Sequence, residues 1–228
     1  MSGININLKA IEEALSSYDA RLVYLVASGL KPAGEIEIDP FPEDIDRICS
    51  LLERVGLQSY LHKGKNRMSV PSFRLVDTTE RLTNCGLDYE VLECEKGEYS
   101  IVVPNSMKQI LFWNSDQTVD PEKIAIAYEK GDHITFGQWA GYPLCCCREY
   151  KPIISLNRFD EQLQLAFQDG GFEAINHLVG IFHIPHNISC KETRKMGYSS
   201  HLIKNAPNLY NSAKIALLDL AQGKCKFI

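Results

Sequence analysis

The sequence predicts an α+β protein, with a mixed strand and helix part over residues 1–115 and a mostly helical part over residues 116–228. In the N-terminal part, short apolar or alternating runs surround one amphipathic helix. From Asp120 onward, apolar residues recur at helical spacing instead. No repeat and no low-complexity linker lies between the two parts, so the division can fall within one compact fold.

The chain opens with a predicted helix, because Leu8, Ile11 and Leu15 recur at helical spacing after asparagines that can cap. The apolar run at residues 21–27 predicts a buried strand. The alternation at residues 35–38 predicts a half-exposed strand.

The clearest predicted helix spans residues 42–55 and ends before Gly56. Its apolar stripe consists of Ile45, Ile48, Cys49, Leu52 and Val55. Cys49 is therefore expected in the core. The following residues 62–72 are polar and basic, contain a glycine and a proline, and are interpreted as a loop.

Strands are predicted to return at residues 73–76, 89–94, 99–103 and 109–113. The second and third of these flank Glu95–Glu98, which we interpret as a hairpin turn. Cys85 and Cys94 have no cysteine or histidine at ligand spacing, so both are assigned a structural role.

Three main helices are predicted in the C-terminal part. Asp120-Pro121 predicts the start of the first helix, because the aspartate carboxylate can cap the helix and proline suits the first helical turn. Gly131 can end that helix. A second amphipathic helix contains Phe159–Phe167 and ends at Gly170-Gly171. The third runs over Pro207–Gln222.

Composition is that of an ordinary soluble globular protein, with 45% hydrophobic and 23% charged residues in a chain of 228. No apolar run approaches the roughly 20 residues of a membrane-spanning helix, so no membrane partner is expected. The start of the chain has no secretory signal, which predicts a cytoplasmic location. The eight cysteines are then expected as thiols rather than disulfides.

The net charge of −5 argues against general polyanion binding, so a nucleic-acid partner is not expected. One local cluster of positive charge comprises Lys191, Arg194, Lys195 and Lys204. It is interpreted either as a solvated helix face or as a docking patch for an anionic substrate or a phosphate. The sequence leaves the oligomeric state open.

Gly141-Tyr142-Pro143 is closely followed by three consecutive cysteines, Cys145, Cys146 and Cys147. Proline suits a first helical turn, so the cysteines are predicted at a helix start, where free N–H groups and the helix dipole favour thiolate. Successive helical residues point about 100° apart. One or two cysteines are therefore expected to face a shared ion, with Cys145 and Cys146 as first choices, while the remaining one packs inward.

A second cluster consists of His183, His186 and Cys190. Ser189 and Glu192 match a capping box, with Ser189 as N-cap, which predicts that another helix begins at this cysteine. Thiolates and imidazoles are the ligands of zinc and other soft metals. The sequence therefore predicts a zinc site formed by Cys145, Cys146, His183, His186 and Cys190. The alternatives are an iron–sulfur cluster, a metal-free reactive thiol with a histidine partner, or buried cysteines without any ligand.

The residues around both clusters resemble a prokaryotic family known as domain of unknown function 483. The resemblance spans about residues 120–205, with a weaker likeness in the helix at residues 42–56. It is carried by Phe136–Cys146, by His183-Ile184-Pro185 and by Cys190. Where the family often has a cysteine after His-x-Pro, this chain has a histidine. Both residue types bind zinc, so the resemblance implies a shared site, although it implies no activity.

Three functions fit these patterns. The first is a metalloenzyme acting on a small or anionic substrate, with an open metal position and with Asp132, His133 or Glu149 as general acid or base. Each of these three side chains is at least as well interpreted as an ordinary polar residue on the protein surface. The second function is a binding protein with a structural zinc ion, and the third is a thiol enzyme or redox protein.

Overall fold

The structure, a computed structural model, describes residues 7–93 and 97–225. Helices account for 56% and strands for 19%, with an antiparallel sheet in the N-terminal half and mainly helices in the C-terminal half, so the α+β prediction is confirmed. Contacts divide the chain into two compact units. One spans Gly34–Glu122, and the other combines the residues up to Ala33 with those from Lys123 onward. The chain passes from one unit to the other after Ala33 and again after Glu122. The predicted division after residue 115 lies near the second of these points, whereas the first was not predicted.

The unit Gly34–Glu122 contains a sheet built on one long strand. Its strands are β1 (Ala33–Glu37), β2 (Leu57–Pro71), β3 (Glu90–Glu93) and β4 (Glu98–Asn114). The order is β1-β4-β2, and β3 also pairs with β4 in the antiparallel sense expected of the hairpin. Cys94 and two residues of the predicted turn, Glu95 and Lys96, lie outside the described residues.

Strands β2 and β4 pair from Leu57 opposite Asn114 to Pro71 opposite Glu98, with register shifts after His62 and after Gly64. Helices α3 (Pro42–Arg54) and α4 (Leu75–Asn84) both pack against β2. The buried core there consists of Phe41, Met68, Val70, Leu82, Ile101 and Val103. The predicted helix at residues 42–55 is thus confirmed, with a half-buried Cys49 on it.

The predicted loop at residues 62–72 is wrong, because these residues form most of β2. Exposed polar residues there alternate with the buried Asn66, Met68 and Val70. A strand of an antiparallel sheet with one solvent-facing side accommodates such polarity. The amide of Asn66 donates to the carbonyls of Ile38 at 2.6 Å and Met107 at 3.2 Å, close to the register shifts.

The predicted strand at residues 73–76 is also wrong. The chain passes through a 3₁₀ turn at Ser72–Arg74 into α4. Leu75 and Leu82 lie two helical turns apart and both pack on the core, so the helical period decides the structure. The two strands predicted at residues 99–103 and 109–113 are parts of the single strand β4.

The other unit is helical within its described residues. Its helices are α1 (Leu8–Ala14), α2 (Ser17–Ala27), α5 (Pro121–Glu129), α6 (His133–Trp139), α7 (Leu144–Glu149), α8 (Pro152–Ile175), α9 (Lys191–Lys195), α10 (Tyr198–Asn205) and α11 (Pro207–Ala221). Its largest apolar cluster comprises Phe159, Leu163, Ile175, Leu178, Val179, Ala213, Leu217 and Ala221. Among the described residues, no helix is long and apolar enough to span a membrane.

Helices α1, α5 and α11 confirm the predictions for those segments, and Asn7 caps α1 by accepting from the backbone N–H of Ala10. The predicted helix end at Gly170-Gly171 is instead an interruption. Gly171 has φ 60 and ψ −155, and the helical segment then continues to Ile175.

The predicted strand at residues 21–27 is wrong, because this segment is most of α2. Every residue from Ala20 to Ala27 is buried, so neither the helical nor the strand period is visible in the sequence. The helix signal lies just before the run. The Ser16 hydroxyl accepts from the backbone N–H of Asp19 at 3.1 Å and caps α2.

Candidate metal centre

The three consecutive cysteines lie at the start of a short helix, as predicted. Pro143 is the N-cap of α7, and its carbonyl accepts from the N–H groups of Cys146 at 2.8 Å and Cys147 at 3.1 Å. The preceding turn uses Gly141, whose φ is 76 and whose added Cβ would lie 2.4 Å from Cδ of Pro32. The glycine therefore permits both a left-handed backbone and a close packing contact at this point.

A second segment brings its ligands to the same place. Four atoms that can bind a metal lie within 4.8 Å of one another, and they belong to Cys145, Cys146, His186 and Cys190. The Sγ of Cys190 is 3.8 Å from the Sγ of Cys145 and 3.8 Å from that of Cys146. The Sγ of Cys146 is 3.5 Å from Nδ1 of His186. This group can hold one metal ion.

These three distances match those between the ligands of a single tetrahedral ion. Two sulfurs at about 2.3 Å from such an ion are about 3.8 Å apart, and a sulfur and a nitrogen at about 2.3 and about 2.0 Å are about 3.5 Å apart. The sulfur–sulfur separations are also too long for a disulfide, whose bond is about 2.0 Å. All seven cysteines among the described residues are free thiols.

The thiols of the group differ in acidity. Burial raises the pKa of Cys145, and it raises the pKa of Cys146 to about 12. Burial acts in the same direction on Cys190, but hydrogen bonds from the Thr193 hydroxyl and N–H and from the other two thiols hold its pKa below the ordinary value. The Cys190 thiol is thus more acidic than the two thiols beside it.

His183 was predicted as a ligand but lies outside the four-residue group. Its Nε2 is 2.9 Å from the Thr193 hydroxyl, whose oxygen is in turn 3.7 Å from Sγ of Cys146. The ring also packs against Tyr142, with centroids 5.3 Å apart. Burial, followed by the positive charge of Lys31, lowers the pKa of His183 to about 3, so the ring is neutral. Its position supports Thr193, which contacts the sulfurs directly.

The predicted capping box at the second segment is wrong. The N-cap of α9 is Cys190 rather than Ser189. The backbone N–H of Thr193, in the first turn of α9, bonds to the Cys190 sulfur. A thiolate at the N-cap position satisfies a free helix N–H and is stabilised by the helix dipole.

Cys147 points away from the group and packs inward. Its thiol donates to the Tyr142 carbonyl at 3.8 Å, and a Cβ added to Gly137 would lie 2.5 Å from its Sγ. Burial raises the pKa of Cys147. The side chain therefore ties α7 to α6 and does not face the other ligands.

Two residues near the site were missed from the sequence. Thr193 follows Cys190 by three residues, a spacing at which an N-cap meets the first helical turn, so that signal was present. Lys31 gave no signal. It is fully buried, donates to the carbonyls of Ala33 at 3.0 Å and of Ala140, and lies 4.5 Å from the centroid of the Tyr142 ring. It thereby fixes the segment that leads into α7.

The three predicted acid–base residues do not belong to the four-residue group. Asp132 is the N-cap of α6, and hydrogen bonds from Thr135 lower its pKa. His133 packs edge-on against Tyr150, with centroids 4.8 Å apart, and Glu149 is exposed at the end of α7. Their catalytic roles stay predictions.

The basic residues after the second segment are largely exposed. Lys191, Arg194, Lys195 and Lys204 are all solvent-facing, and Lys195 pairs with Glu192 at 2.7 Å. The pair spans one turn of an exposed helix and contributes little stability. The interpretation as a solvated helix face accounts for these contacts.

Comparison of the chain with protein-family models, with curated proteins and with solved structures found no match. The resemblance to domain of unknown function 483 stays a prediction.

Proposed function

We propose that this chain is a zinc protein in which a single ion is bound by three cysteines and one histidine and serves a structural role. The proposal is carried by one observation. Three of the distances among the ligand atoms of Cys145, Cys146, His186 and Cys190 match those between the ligands of one tetrahedral ion, and all four atoms lie within 4.8 Å of one another.

A structural role is favoured because all four coordination positions would be filled by the protein. Catalytic zinc ions have three protein ligands and keep one position for water or substrate, whereas closed sets of three cysteines and one histidine are typical of structural sites. The ion would join the start of α7 to the segment that contains His186 and to the start of α9. These elements are short, so a shared ion would supply much of the stability of the region.

Zinc is favoured over an iron–sulfur cluster by the same spacing. In a four-iron cluster each ligand binds a different iron, so the ligand sulfurs lie farther apart than when they share one ion. Sulfurs 3.8 Å apart fit the single ion. Thiolate and imidazole together also suit zinc.

A second candidate is metal-free thiol chemistry. It is favoured by the lowered pKa of Cys190, whose sulfur could attack a substrate disulfide and release one thiol. One of the two thiols 3.8 Å away could then displace the second substrate thiol, which leaves a disulfide in this chain and a reduced substrate. This candidate and the zinc site use the same residues, so a metal measurement separates them.

The test is the metal content of tag-free protein purified under anaerobic conditions, measured by elemental mass spectrometry. We expect one zinc per chain in the wild type, and its loss in the variants Cys145→Ser and Cys190→Ser. The matched control is Cys147→Ser, which alters the neighbouring cysteine outside the group and is expected to keep the metal. Wild-type protein without stoichiometric metal, with reversible oxidation of Cys190, would establish the second candidate instead.

A further inference from the structure

A buried arginine on α2 has no counter-ion among the described residues. Arg21 keeps 8% of its surface exposed, and it takes part in no ion pair of the part of the chain that the structure describes. Its Nε is fully buried and makes no hydrogen bond. Burying a guanidinium group is costly unless the charge and its N–H donors are matched, so such a group calls for a partner.

Two aromatic rings flank the charge. The guanidinium carbon of Arg21 lies 4.8 Å from the centroid of Phe182 and 5.5 Å from that of Tyr18, and the two rings meet edge to face at 5.0 Å. Rings attract a cation electrostatically, but they do not supply the in-plane oxygen acceptors for which the guanidinium fork is shaped. The aromatic contacts hold the side chain in place and leave its strongest binding capacity unused.

Gly180 lies close to the stem of Arg21 and packs tightly against α10. Gly180 has φ 88, and a Cβ there would lie 3.9 Å from Cδ of Arg21, 3.5 Å from Cβ of Tyr198 and 2.7 Å from Cδ1 of Leu202. Burial, opposed by the nearby Tyr18, lowers the pKa of Arg21 to about 10, so the side chain remains charged at neutral pH. A cation is thus held in a fixed, largely desolvated position in which an anion would be bound strongly.

We propose that Arg21 anchors a binding site for a small oxyanion, a carboxylate or a phosphate group, with Tyr18 and Phe182 as its walls. Both groups present two oxygens at the spacing of the guanidinium fork, which permits paired charge-assisted hydrogen bonds. The remaining exposure of Arg21 gives such a ligand access from solvent. Arg21, Tyr18 and Phe182 do not belong to the four-residue metal group.

The test uses the full metal-loaded chain and titrates sodium phosphate and sodium acetate separately, with ionic strength held constant by sodium chloride. Binding is followed by calorimetry and by the thermal unfolding midpoint. We expect saturable binding to the wild type, and binding about tenfold weaker or more in Arg21→Met, because the charge-assisted hydrogen bonds are lost. The matched control is Arg54→Gln, which removes an exposed guanidinium and is expected to bind as the wild type does.

The variant Arg21→Met also tests whether Arg21 is a buried charge without a matching partner. Without added anion it should be as stable as the wild type or more stable, because an unmatched buried charge is replaced by an apolar side chain of similar length. If this variant fails to fold, binding at Arg21 is measured in the wild type instead, since the Nε–H NMR resonance of Arg21 should shift when phosphate or acetate is added. Saturation by phosphate alone or by acetate alone identifies the ligand group.

Absence of saturable binding of both anions to the wild type would overturn the proposal, as would equal binding by wild type and Arg21→Met. Metal content distinguishes this outcome from failure of the zinc proposal. Arg21→Met is expected to keep the same zinc stoichiometry as the wild type, because Arg21 is outside the ligand group.

Discussion

Zinc binding is expected to release between two and three thiol protons, which makes the affinity strongly dependent on pH. The raised pKa values of Cys145 and Cys146 keep both thiols protonated at neutral pH, so each must lose a proton to bind the ion. The lowered pKa of Cys190 means that it contributes at most one further proton. Each proton released raises the apparent association constant about tenfold per pH unit, so two to three protons predict an increase of about 100- to 1,000-fold.

The assay is competition with a chromophoric zinc chelator between about pH 7.5 and about pH 8.5, above the ordinary histidine range. Calorimetry in buffers of different ionisation enthalpy gives an independent proton count. Cys146→Ser should lower the slope by about one proton, whereas Cys147→Ser, the cysteine outside the group, should leave it unchanged. A slope below one proton in the wild type would refute the reasoning, since the ligands would then be thiolates before the metal binds.

Three further predictions concern the surroundings of the site. Thr193→Val should weaken zinc binding about 10- to 100-fold in chelator competition, with recovery in Thr193→Ser, because the hydroxyl beside the sulfurs is lost. For His183, burial lowers the folded-state pKa to about 3. Its contribution to the free energy of unfolding is therefore fully present above about pH 6.5, and it falls by about 1.4 kcal/mol per pH unit as the pH decreases from there towards about 3. Urea unfolding of metal-free protein measures this, and His183→Gln should lack that slope. Gly141→Ala should lower the free energy of unfolding by about 2–4 kcal/mol for two reasons. The new Cβ would lie 2.4 Å from Cδ of Pro32, and alanine would have to adopt the left-handed backbone at φ 76. The control Gly29→Ala, at φ 73 with nothing within 4 Å, should cost only about 1–2 kcal/mol.

The helices that can be located from the sequence are those with a polar face or a distinct N-terminal start signal. The helix at residues 42–55 has a single apolar stripe, and α5 begins at a proline after an aspartate. Helix α2 has no polar face from Ala20 to Ala27, because all these residues are buried. A helix that is apolar on every side cannot be distinguished from a buried strand by periodicity alone.

The long strand β2 was not predicted for a different reason, namely that most of its side chains are polar. Its residues 62–71 are rich in polar and basic side chains, which suggested a loop. Pairing with β4 satisfies its backbone hydrogen bonds, and its exposed face needs no apolar residue. The partner strand that decides this outcome lies far along the sequence, from Glu98 to Asn114.

Residue types and local spacing were sufficient to indicate a soft-metal site, because few other side chains bind zinc. The expectation that the start of α7 favours thiolate is wrong, since burial raises the pKa of Cys145 and Cys146. Only the tertiary structure distinguished His186 from His183, and Cys146 from Cys147, among the candidates. Adjacent residues differ in direction rather than in chemistry, and direction depends on how distant segments pack. The ligand chemistry was therefore determined by the sequence alone, whereas the choice of atoms that meet was decided by the fold.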